Sequence, residues 1–444
     1  MKKIYDVLNN FIKSNWNLAL YVFLSAIGWC FGFSYITLIV MTTWATVSML
    51  FFDRVDSILF LFLGAPYIVG DWTNATNMTF NIIAVGIAIL GVITFIFKQI
   101  FINKIKPQKG KFFYFYLLAG LGYLLGGITS NFNFINFLIT LAICIFIYLF
   151  YWIILNFVQN PLKYINRAVI GIAILIILEL AYSYAICEDI VNTILHKEIR
   201  VGAGEINTSA IYLGIATLSC FYLGLKTNKL NSLLPLATLF IIGTFFTYSR
   251  IALAVNSVMF AITYIVCFIK TKNKQSYLIT TTIILCCILA GILILKNDIE
   301  LLTEYYLNMG VDGNGRDYLW EWCFDRFKEN KLFGVGFAWE TPVPFLTAQI
   351  GDFYLIYAHN IVIQLLTSLG IIGLVLNLPL LIKKYMIIFK SKQDKSFIAI
   401  GLMQILTIAL CGMFDASGGL GVFMCFLVQA LTASFEIEGN KKTI

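Results

Sequence analysis

The chain carries very little charge for its length. Only 12% of its 444 residues are Asp, Glu, Lys or Arg, whereas 60% are hydrophobic and the mean hydropathy is +0.87. A soluble domain does not need so much apolar surface, and repeated runs of about 20 apolar residues are what a bilayer core requires. The composition therefore excludes a soluble globular protein and predicts an all-α polytopic membrane protein.

Side chains that hold metals or cofactors are equally scarce. There are two histidines, and the ten cysteines show no paired metal-binding spacing. The sequence contains no phosphate-binding P-loop, dinucleotide fingerprint or HExxH motif. We therefore expect neither a metal nor a cofactor. The net charge of +8 does not indicate a nucleic-acid partner, because the positive-inside bias of membrane proteins already predicts an excess of lysine.

Apolar runs recur along the whole sequence, and we expect about 12–14 transmembrane helices in a single integral membrane domain over residues 1–444. The number is a range because several runs are short or merge. The runs lie near 17–33, 35–52, 56–70, 80–98, 112–128, 134–157, 168–186, 207–225, 232–247, 250–269, 277–295, 360–382, 397–413 and 416–434.

The distribution of basic residues predicts the orientation. If Met1 is cytoplasmic, 23 of the 31 Lys and Arg residues fall in inner loops or termini. Both termini are then cytoplasmic, and residues 296–358 form one large, ordered, outward-facing loop. The remaining basic residues are predicted to face outward: Lys197, Arg200, Arg250, Lys296, Arg316, Arg326, Lys328 and Lys331.

Three predicted spans begin at the outer face beside a basic or imidazole group. Arg200 precedes the span near 207, Arg250 starts the next one that descends, and His359 and Asn360 start the span near 360. Helix N-termini carry unsatisfied N–H groups that attract phosphate. With Arg316 added from the loop, the pattern favours an anion site at the outer boundary. The alternative is that Arg250 merely extends to the membrane interface.

The outer loop is predicted to contain an amphipathic helix that starts near Arg316, with Asn314 or Asp312 as its N-cap. Its apolar face suits the membrane interface, although it could equally close the top of the helix bundle. Further on, Asn360, Gln364 and Ser368 recur every four residues. We expect this polar stripe to face a wet cavity or neighbouring helices rather than lipid.

These residues suit chemistry on a lipid-borne anion, such as a polyprenyl diphosphate. Arginine binds phosphate oxygens bidentately and keeps its charge, so it could also stabilise diphosphate as a leaving group. His359 is the candidate base. A lone histidine at an interface is more often a simple hydrogen-bonding group, and that alternative stays open.

Several motifs in one order resemble the shared domain of O-antigen ligases and O-antigen or capsular polysaccharide polymerases. They cover about residues 200–380 and are Arg200 to Asn207, Ser249-Arg250, Gly315-Arg316-x-x-Leu319-Trp320, Phe333-Gly334-Val335-Gly336, Ala358-His359-Asn360, Gln364-Leu365-Leu366 and Gly370-Ile371-Ile372-Gly373. The chain departs from the family pattern at Asn314, where Ser is frequent, and at Lys331, where Pro is frequent.

The resemblance implies a metal-independent membrane glycosyltransferase of the bacterial cytoplasmic membrane, with its active site facing outward. Its donor would be an undecaprenyl-diphosphate-linked oligosaccharide. Arg250 and Arg316 would bind the diphosphate, Arg200 would be a weaker addition, and His359 would activate or orient the acceptor hydroxyl. Asn360 and Gln364 would support the site. A flippase and a chain-length regulator would be partners in the same pathway.

Within this family we favour a polysaccharide polymerase. The composition, rich in Asn, Ile and Lys, suggests an AT-rich bacterial genome, and an O-antigen ligase needs the lipid A-core acceptor of a Gram-negative cell. The ligase remains an alternative. A flippase or exporter of the same lipid is a second one, although it would usually lack so long an outer loop. A transferase that uses polyprenyl-monophosphate sugars would usually show an acidic pair in its first outer loop, where this chain has only Asp71.

Overall fold

The computed structural model describes residues 2–69, 75–129, 134–195, 199, 201–202, 206–308, 316–339, 349–350, 353–355, 358–413 and 421–440. These residues form helices α1 (Lys2–Lys13), α2 (Asn15–Cys30), α3 (Ser34–Phe52), α4 (Ser57–Ile68), α5 (Ala75–Phe97), α6 (Phe113–Leu125), α7 (Phe134–Phe157), α8 (Pro161–Ile186), α9 (Ile190–Leu195), α10 (Ile206–Thr227), α11 (Leu230–Phe246), α12 (Arg250–Lys270), α13 (Lys274–Ile294), α14 (Lys296–Asn308), α15 (Arg316–Glu329), α16 (Ile361–Phe389), α17 (Lys395–Gly412) and α18 (Gly421–Asn440). A π-helical turn, Lys98–Ile102, follows α5.

The predicted fold class, an all-α polytopic membrane protein, is confirmed. Within the described residues, 9 helical segments are long and apolar enough to cross a membrane, and three shorter apolar helices accompany them. Each of the apolar runs predicted from the sequence coincides with, or overlaps, one of the helices. Apolar runs of this length form helices because a helix satisfies all its backbone hydrogen bonds within the segment.

The helices group into two compact units. The first unit contains residues 1–107 and 156–305, and the second contains residues 108–155 and 306–444. Arg250 belongs to the first unit, whereas Arg316 and His359 belong to the second.

The first unit is built around α10. Almost every residue of α10 is buried, and α8, α11 and α12 pack against it. Two of its polar side chains donate to carbonyl groups: the Tyr212 hydroxyl donates to the Leu63 carbonyl at 2.7 Å, and the Thr217 hydroxyl donates to the Leu213 carbonyl at 2.9 Å. A helix surrounded on all sides is apolar all round, which is why α10 shows almost no amphipathic pattern.

A single amide fixes α12 to this centre. The Asn256 side chain donates to the Ala210 carbonyl at 2.8 Å and to the Thr244 hydroxyl at 3.3 Å, so it joins α12 to α10 and α11. Gly214 faces Asn256, and a Cβ at Gly214 would collide with the Asn256 amide. The small residue therefore allows the close helix contact that the hydrogen bond needs.

In the second unit, α6 lies against α16 where two glycines meet. A Cβ on Gly122 would come within 3.1 Å of the Gly373 carbonyl oxygen, so the two helices approach at backbone distance. The end of α18 is held by Glu436, whose carboxylate accepts the Tyr151 hydroxyl at 2.7 Å and the Lys111 N–H at 2.9 Å.

A small antiparallel sheet follows α15. Its strands are β1 (Ala338–Trp339), β2 (Gln349–Ile350) and β3 (Phe353–Leu355), in the order β1-β3-β2. Trp339 pairs with Tyr354 on one side, and Gln349 pairs with Tyr354 on the other. Part of the predicted outer loop is therefore ordered β-structure, which the sequence analysis did not predict.

Candidate functional site

The helix predicted in the outer loop begins at Arg316, as expected. The helix dipole favours these bounds, because the acidic Asp317 lies in the first turn and the basic Arg326 and Lys328 lie in the last turn. The predicted caps Asn314 and Asp312 lie outside the described residues. Leu319 and Cys323 are buried in a cluster with Val335, Ala358 and Ile363. The apolar face of α15 therefore packs on α16 and the segments beside it, as the bundle-closing alternative predicts.

Helix α16 is interrupted at Gly370, which has φ 66° and ψ −170°. The break leaves carbonyl groups at the end of the first half (361–369) and N–H groups at the start of the second half (371–389) without helical partners. Such groups cost several kcal/mol when they are buried in an apolar environment, roughly 2–7 kcal/mol each. The break must therefore be compensated by another part of the chain.

Residues 331–336, which we name the bridging segment, supply that compensation. Val335 and Gly336 donate their N–H groups to the Thr367 and Ser368 carbonyls at 2.8 and 2.9 Å. The N–H groups of Ile371 and Ile372 donate in turn to the carbonyls at positions 331 and 332, at 2.9 and 3.1 Å. Four backbone bonds thus join the bridging segment to both sides of the break.

Only glycine fits where the bridging segment contacts α16. Gly334 has φ 63°, and a Cβ there would lie 2.5 Å from the Thr367 carbonyl oxygen. A Cβ on Gly370 would collide with the Leu332 carbonyl. The Phe-Gly-Val-Gly motif and the Gly-Ile-Ile-Gly motif are therefore the two halves of one backbone junction.

The segment around His359 is held on both sides. The Ala358 N–H donates to Gln364 Oε1 at 2.8 Å, and the Ala358 carbonyl accepts Trp320 Nε1 at 2.7 Å. Asn360 Oδ1 caps α16 by accepting the N–H groups of Val362 at 2.9 Å and Ile363 at 3.1 Å. These bonds fix the backbone immediately before and after the histidine.

His359 itself has φ 48°, in the left-handed region. This conformation costs a non-glycine residue about 1–2 kcal/mol, although His adopts it more readily than most residues. Strained backbone that the surroundings hold in place is concentrated at functional sites. The half-buried imidazole is thus held on a rigid backbone.

The polar stripe predicted on α16 supports the backbone around His359. Gln364 Nε2 donates to the Ser368 hydroxyl at 2.9 Å while its Oε1 holds Ala358, and Asn360 Nδ2 donates to the Met413 carbonyl at the end of α17 at 2.7 Å. The stripe faces neighbouring segments of the chain, one of the two expected environments.

Arg316 lies on the same face of α15 as Trp320, because the two residues are four apart in the helix. Trp320 contacts Ala358, the neighbour of His359. Further along, the Thr367 hydroxyl donates to the Cys323 carbonyl at 3.3 Å, so α15 and the first half of α16 advance in the same direction. The structure therefore places the half-buried Arg316 and His359 at the same end of one helix pair.

The Cys323 thiol lies in this packing layer and is poorly suited to act as a nucleophile. Burial raises its pKa to about 11, against a smaller opposing effect of its hydrogen bond with Thr367. The thiolate is the reactive form, so the thiol remains protonated at neutral pH. No cluster of three or more His, Cys, Asp or Glu side chains that could hold a metal occurs in the described parts of the chain.

Arg250 is the first residue of α12 in the first unit and is half-buried. Tyr248 before it has φ 52°, and the N-cap residue Ser249 is buried but makes no side-chain capping bond. Arg200 lies outside the described residues; its neighbours Ile199 and Val201 are buried. Arg250 belongs to the first unit, so only Arg316 and His359 lie at one end of the same helix pair.

The sequence analysis missed Trp320 as a positioning residue and missed the junction at Gly370. The signal for Trp320 was its place four residues after Arg316. The signal for the junction was a glycine inside an apolar span, preceded in the chain by a second glycine pair. Neither signal alone identifies its partner, because both partners lie more than 30 residues away.

The fold and these residues define a multi-pass membrane protein with an arginine and a rigidly mounted histidine at one end of a helix pair. Residues 235–378 match the family model described as O-antigen ligase. No curated protein and no solved structure matches the chain at a significant level. The matched range includes Arg250, Arg316 and His359, and the match supports assigning this part of the chain to the family of O-antigen ligases and polymerases.

Proposed function

We propose that the protein is a polysaccharide polymerase that joins undecaprenyl-diphosphate-linked oligosaccharide repeat units. A hydroxyl oxygen of the acceptor glycan attacks the anomeric carbon of the donor. The bond from that carbon to the diphosphate oxygen breaks, and undecaprenyl diphosphate leaves with the electron pair. The hydroxyl proton passes to the base, so the step needs neither an oxidant nor a metal.

Arginine and histidine have different chemical roles in this proposal. Arg250 and Arg316 bind the diphosphate and stabilise the negative charge that grows on it as the bond breaks, with Arg200 as a further contact. His359 accepts the proton of the acceptor hydroxyl. Asn360 and Gln364 are positioning residues, because their hydrogen bonds go to the backbone around the histidine.

The observation that carries the proposal is the set of hydrogen bonds that fixes the backbone on both sides of His359. A base must be held within hydrogen-bond reach of the proton that it removes, and small errors in position are costly. Here Trp320 and Gln364 hold Ala358 and Asn360 caps the next helix, while Arg316 lies one helical turn from Trp320. The backbone of His359 is left-handed and is fixed from both sides, which holds the imidazole in one place.

The second candidate is an O-antigen ligase, which the description of the matching family favours. It would use the same donor and the same residues but deliver the glycan to lipid A-core. The composition favours the polymerase, because the AT-rich bacteria that it suggests need not have that acceptor. A flippase for the same lipid would make no glycosidic bond at all.

The proposal places the enzyme in the bacterial cytoplasmic membrane, with both termini inside and the ends of α12 and α16 that carry Arg250 and His359 outside. The excess of Lys and Arg in the predicted inner loops supports this orientation. The sugar units then arrive through a flippase, and a chain-length regulator acts on the growing product.

Reconstitution tests the proposal directly. The purified chain is placed in lipid nanodiscs with a lipid-linked repeat unit from the matching gene cluster, and products are separated by size. A ladder of polymers on the carrier lipid is expected from the wild type and none from Arg250→Ala, Arg316→Ala or His359→Ala. Arg326→Ala is the matched control, because Arg326 lies in the same helix as Arg316 but pairs with Glu329 at 2.9 Å.

Other outcomes discriminate between the candidates. Transfer of one glycan to added lipid A-core without a ladder would establish the ligase. Movement of the intact lipid across a liposome membrane without any new glycosidic bond would establish the flippase. A normal ladder from all three variants would overturn the assignment of the site.

A further inference from the structure

A polar hollow of about 440 Å³ lies at the end of α12 opposite to Arg250. It is formed where the α10–α11 connection meets the α12–α13 connection. The residues that matter in its lining are Asn228, Lys229, Asn231, Lys270, Lys272 and Asn273. We name it the lysine hollow. Because α12 has 21 residues, the hollow is roughly 30 Å from Arg250 and does not belong to the proposed catalytic site.

Backbone and asparagine hydrogen bonds fix the shape of the lysine hollow. Asn228 has φ 55°, and the N–H of the next residue reaches back to the Gly224 carbonyl at 2.9 Å, which closes α10 in a Schellman-type turn. Asn273 Oδ1 caps α13 by accepting the Ser276 N–H at 2.9 Å, and the Asn231 amide donates to the Ser276 hydroxyl. The two connections are thus joined to each other.

The charge of the lysine hollow has one sign. Residues 206–297 contain no Asp or Glu, whereas five lysines lie at this end of the four helices: Lys226, Lys229, Lys270, Lys272 and Lys274. Several ammonium groups around one concave polar surface create a positive potential that attracts an anion.

The surface beside the hollow is apolar. Ile265 and Ile269 on α12 are 57% and 64% exposed, and Leu278 and Ile279 on α13 are 48% and 54% exposed. These side chains follow directly from Lys270 and Lys274 along the two helices. A ligand that binds here therefore meets cations at one end and hydrocarbon at the other.

We propose that the lysine hollow binds the phosphodiester headgroup of an anionic phospholipid, whose acyl chains lie along α12 and α13. Basic pockets between helices at a membrane surface recognise anionic headgroups in this way. Free phosphate shares the charge but would leave the adjacent apolar surface unused. This inference is independent of the proposed polymerase activity.

The test measures the thermal unfolding midpoint of the purified chain in detergent while dioleoyl phosphatidylglycerol is titrated. We expect the midpoint to rise with the anionic lipid and to change little with dioleoyl phosphatidylcholine, which has the same acyl chains and no net charge. Combined replacement Lys229→Gln, Lys270→Gln and Lys272→Gln should weaken the apparent affinity for phosphatidylglycerol about 100-fold, because each lysine near an anionic lipid contributes about fivefold.

Two further variants separate the site from general charge. Lys3→Gln, Lys104→Gln and Lys106→Gln together remove the same charge from equally exposed positions of the same unit that do not line the hollow, and they should leave the affinity unchanged. Replacing the three lysines of the hollow with Arg should retain binding, which guards against a variant that merely folds poorly. Equal loss in both Gln triples, an equal response to phosphatidylcholine, or the same rise with inorganic phosphate alone would overturn the proposal.

Discussion

Helices α12 and α16 begin alike and differ in how their first turns are completed. Each starts two residues after a non-glycine residue in the left-handed conformation, Tyr248 at φ 52° before α12 and His359 at φ 48° before α16. In α16 the Asn360 side chain accepts two N–H groups of the first turn. In α12 the N-cap residue Ser249 makes no capping bond with its side chain.

The sequence analysis grouped the helix starts at Arg250 and His359 in one anion site, whereas this difference suits the two starts to different roles. A helix start that is capped by its own side chain has fewer N–H groups to offer an anion, whereas one without such a cap can bind phosphate through its N–H groups and its dipole. The start of α16 is therefore better suited to hold His359 rigidly. The start of α12, with Arg250, is better suited to a diphosphate. We infer that base and anion site are built on different helices.

The largest expected effect is the loss of the base. His359→Ala should lower kcat about 10²- to 10⁴-fold with little change in KM for the lipid donor, because general-base catalysis contributes that much. Arg250→Ala should instead raise the donor KM as well as lower kcat, since its charge binds the diphosphate both before and during bond cleavage. Steady-state kinetics with the lipid-linked repeat unit measures both constants. Identical kinetic signatures for the two variants would contradict the division of roles.

The next effect concerns the junction that supports α16. Gly370→Ala should lower the free energy of unfolding by about 3–5 kcal/mol, because the alanine adopts a left-handed conformation and displaces the hydrogen-bonded Leu332 carbonyl. The measurement is the thermal midpoint in detergent.

Gly291→Ala on α13 is the matched control. A Cβ at Gly291 meets no atom within 4 Å, and alanine is the better helix former, so this change should be neutral or slightly stabilising. Equal midpoints for the two variants would show that α16 can run unbroken through position 370.

Much of the fold could be predicted from composition, because a bilayer permits little besides apolar helices of fixed length. The helix that begins at Arg316 and the polar stripe on α16 were also predictable, since both follow from helical periodicity. The junction between Gly334 and Gly370 was not, because it depends on backbone hydrogen bonds between distant segments. Nor was the β-sheet, whose strands are too short to show an alternating pattern.

The site was predictable to the extent that it depends on rare residue types. Arg250, Arg316 and His359 stand out because charge and imidazole are scarce in this chain. Trp320 does not stand out, since aromatic residues make up 16% of the sequence. Its importance comes from one hydrogen bond to a main-chain carbonyl. Every residue carries such a carbonyl, so the sequence does not reveal which one is the partner.

A smaller effect compares the two helix starts directly. Asn360→Ala removes the cap of α16 and should lower the free energy of unfolding by about 1 kcal/mol, or up to about 2 kcal/mol since the bond to the Met413 carbonyl is lost as well. Ser249→Ala removes no capping bond and should change it by less than about 0.5 kcal/mol. Equilibrium unfolding of both variants in mixed micelles measures the difference. A larger loss from Ser249→Ala would reverse the comparison.

The smallest expected effect tests whether the hydrogen bonds that hold the His359 backbone matter for catalysis as well as for stability. Trp320→Phe keeps the aromatic packing but removes the bond to the Ala358 carbonyl, which should lower the free energy of unfolding by about 1 kcal/mol. It should also lower kcat severalfold at constant donor KM, because the histidine backbone then has more freedom while the diphosphate contacts remain.

Trp322→Phe is the control for that change, since Trp322 lies in the same helix with the Arg326 guanidinium 5.9 Å from its ring centre. It should leave kcat near the wild-type value. If Trp320→Phe lowered stability but left kcat unchanged, the bond to Ala358 would be structural only. The bond would then contribute to the packing of α15 on α16 but not to the chemistry of His359. The only remaining difference between the starts of α16 and α12 would be the side-chain cap that Asn360 provides.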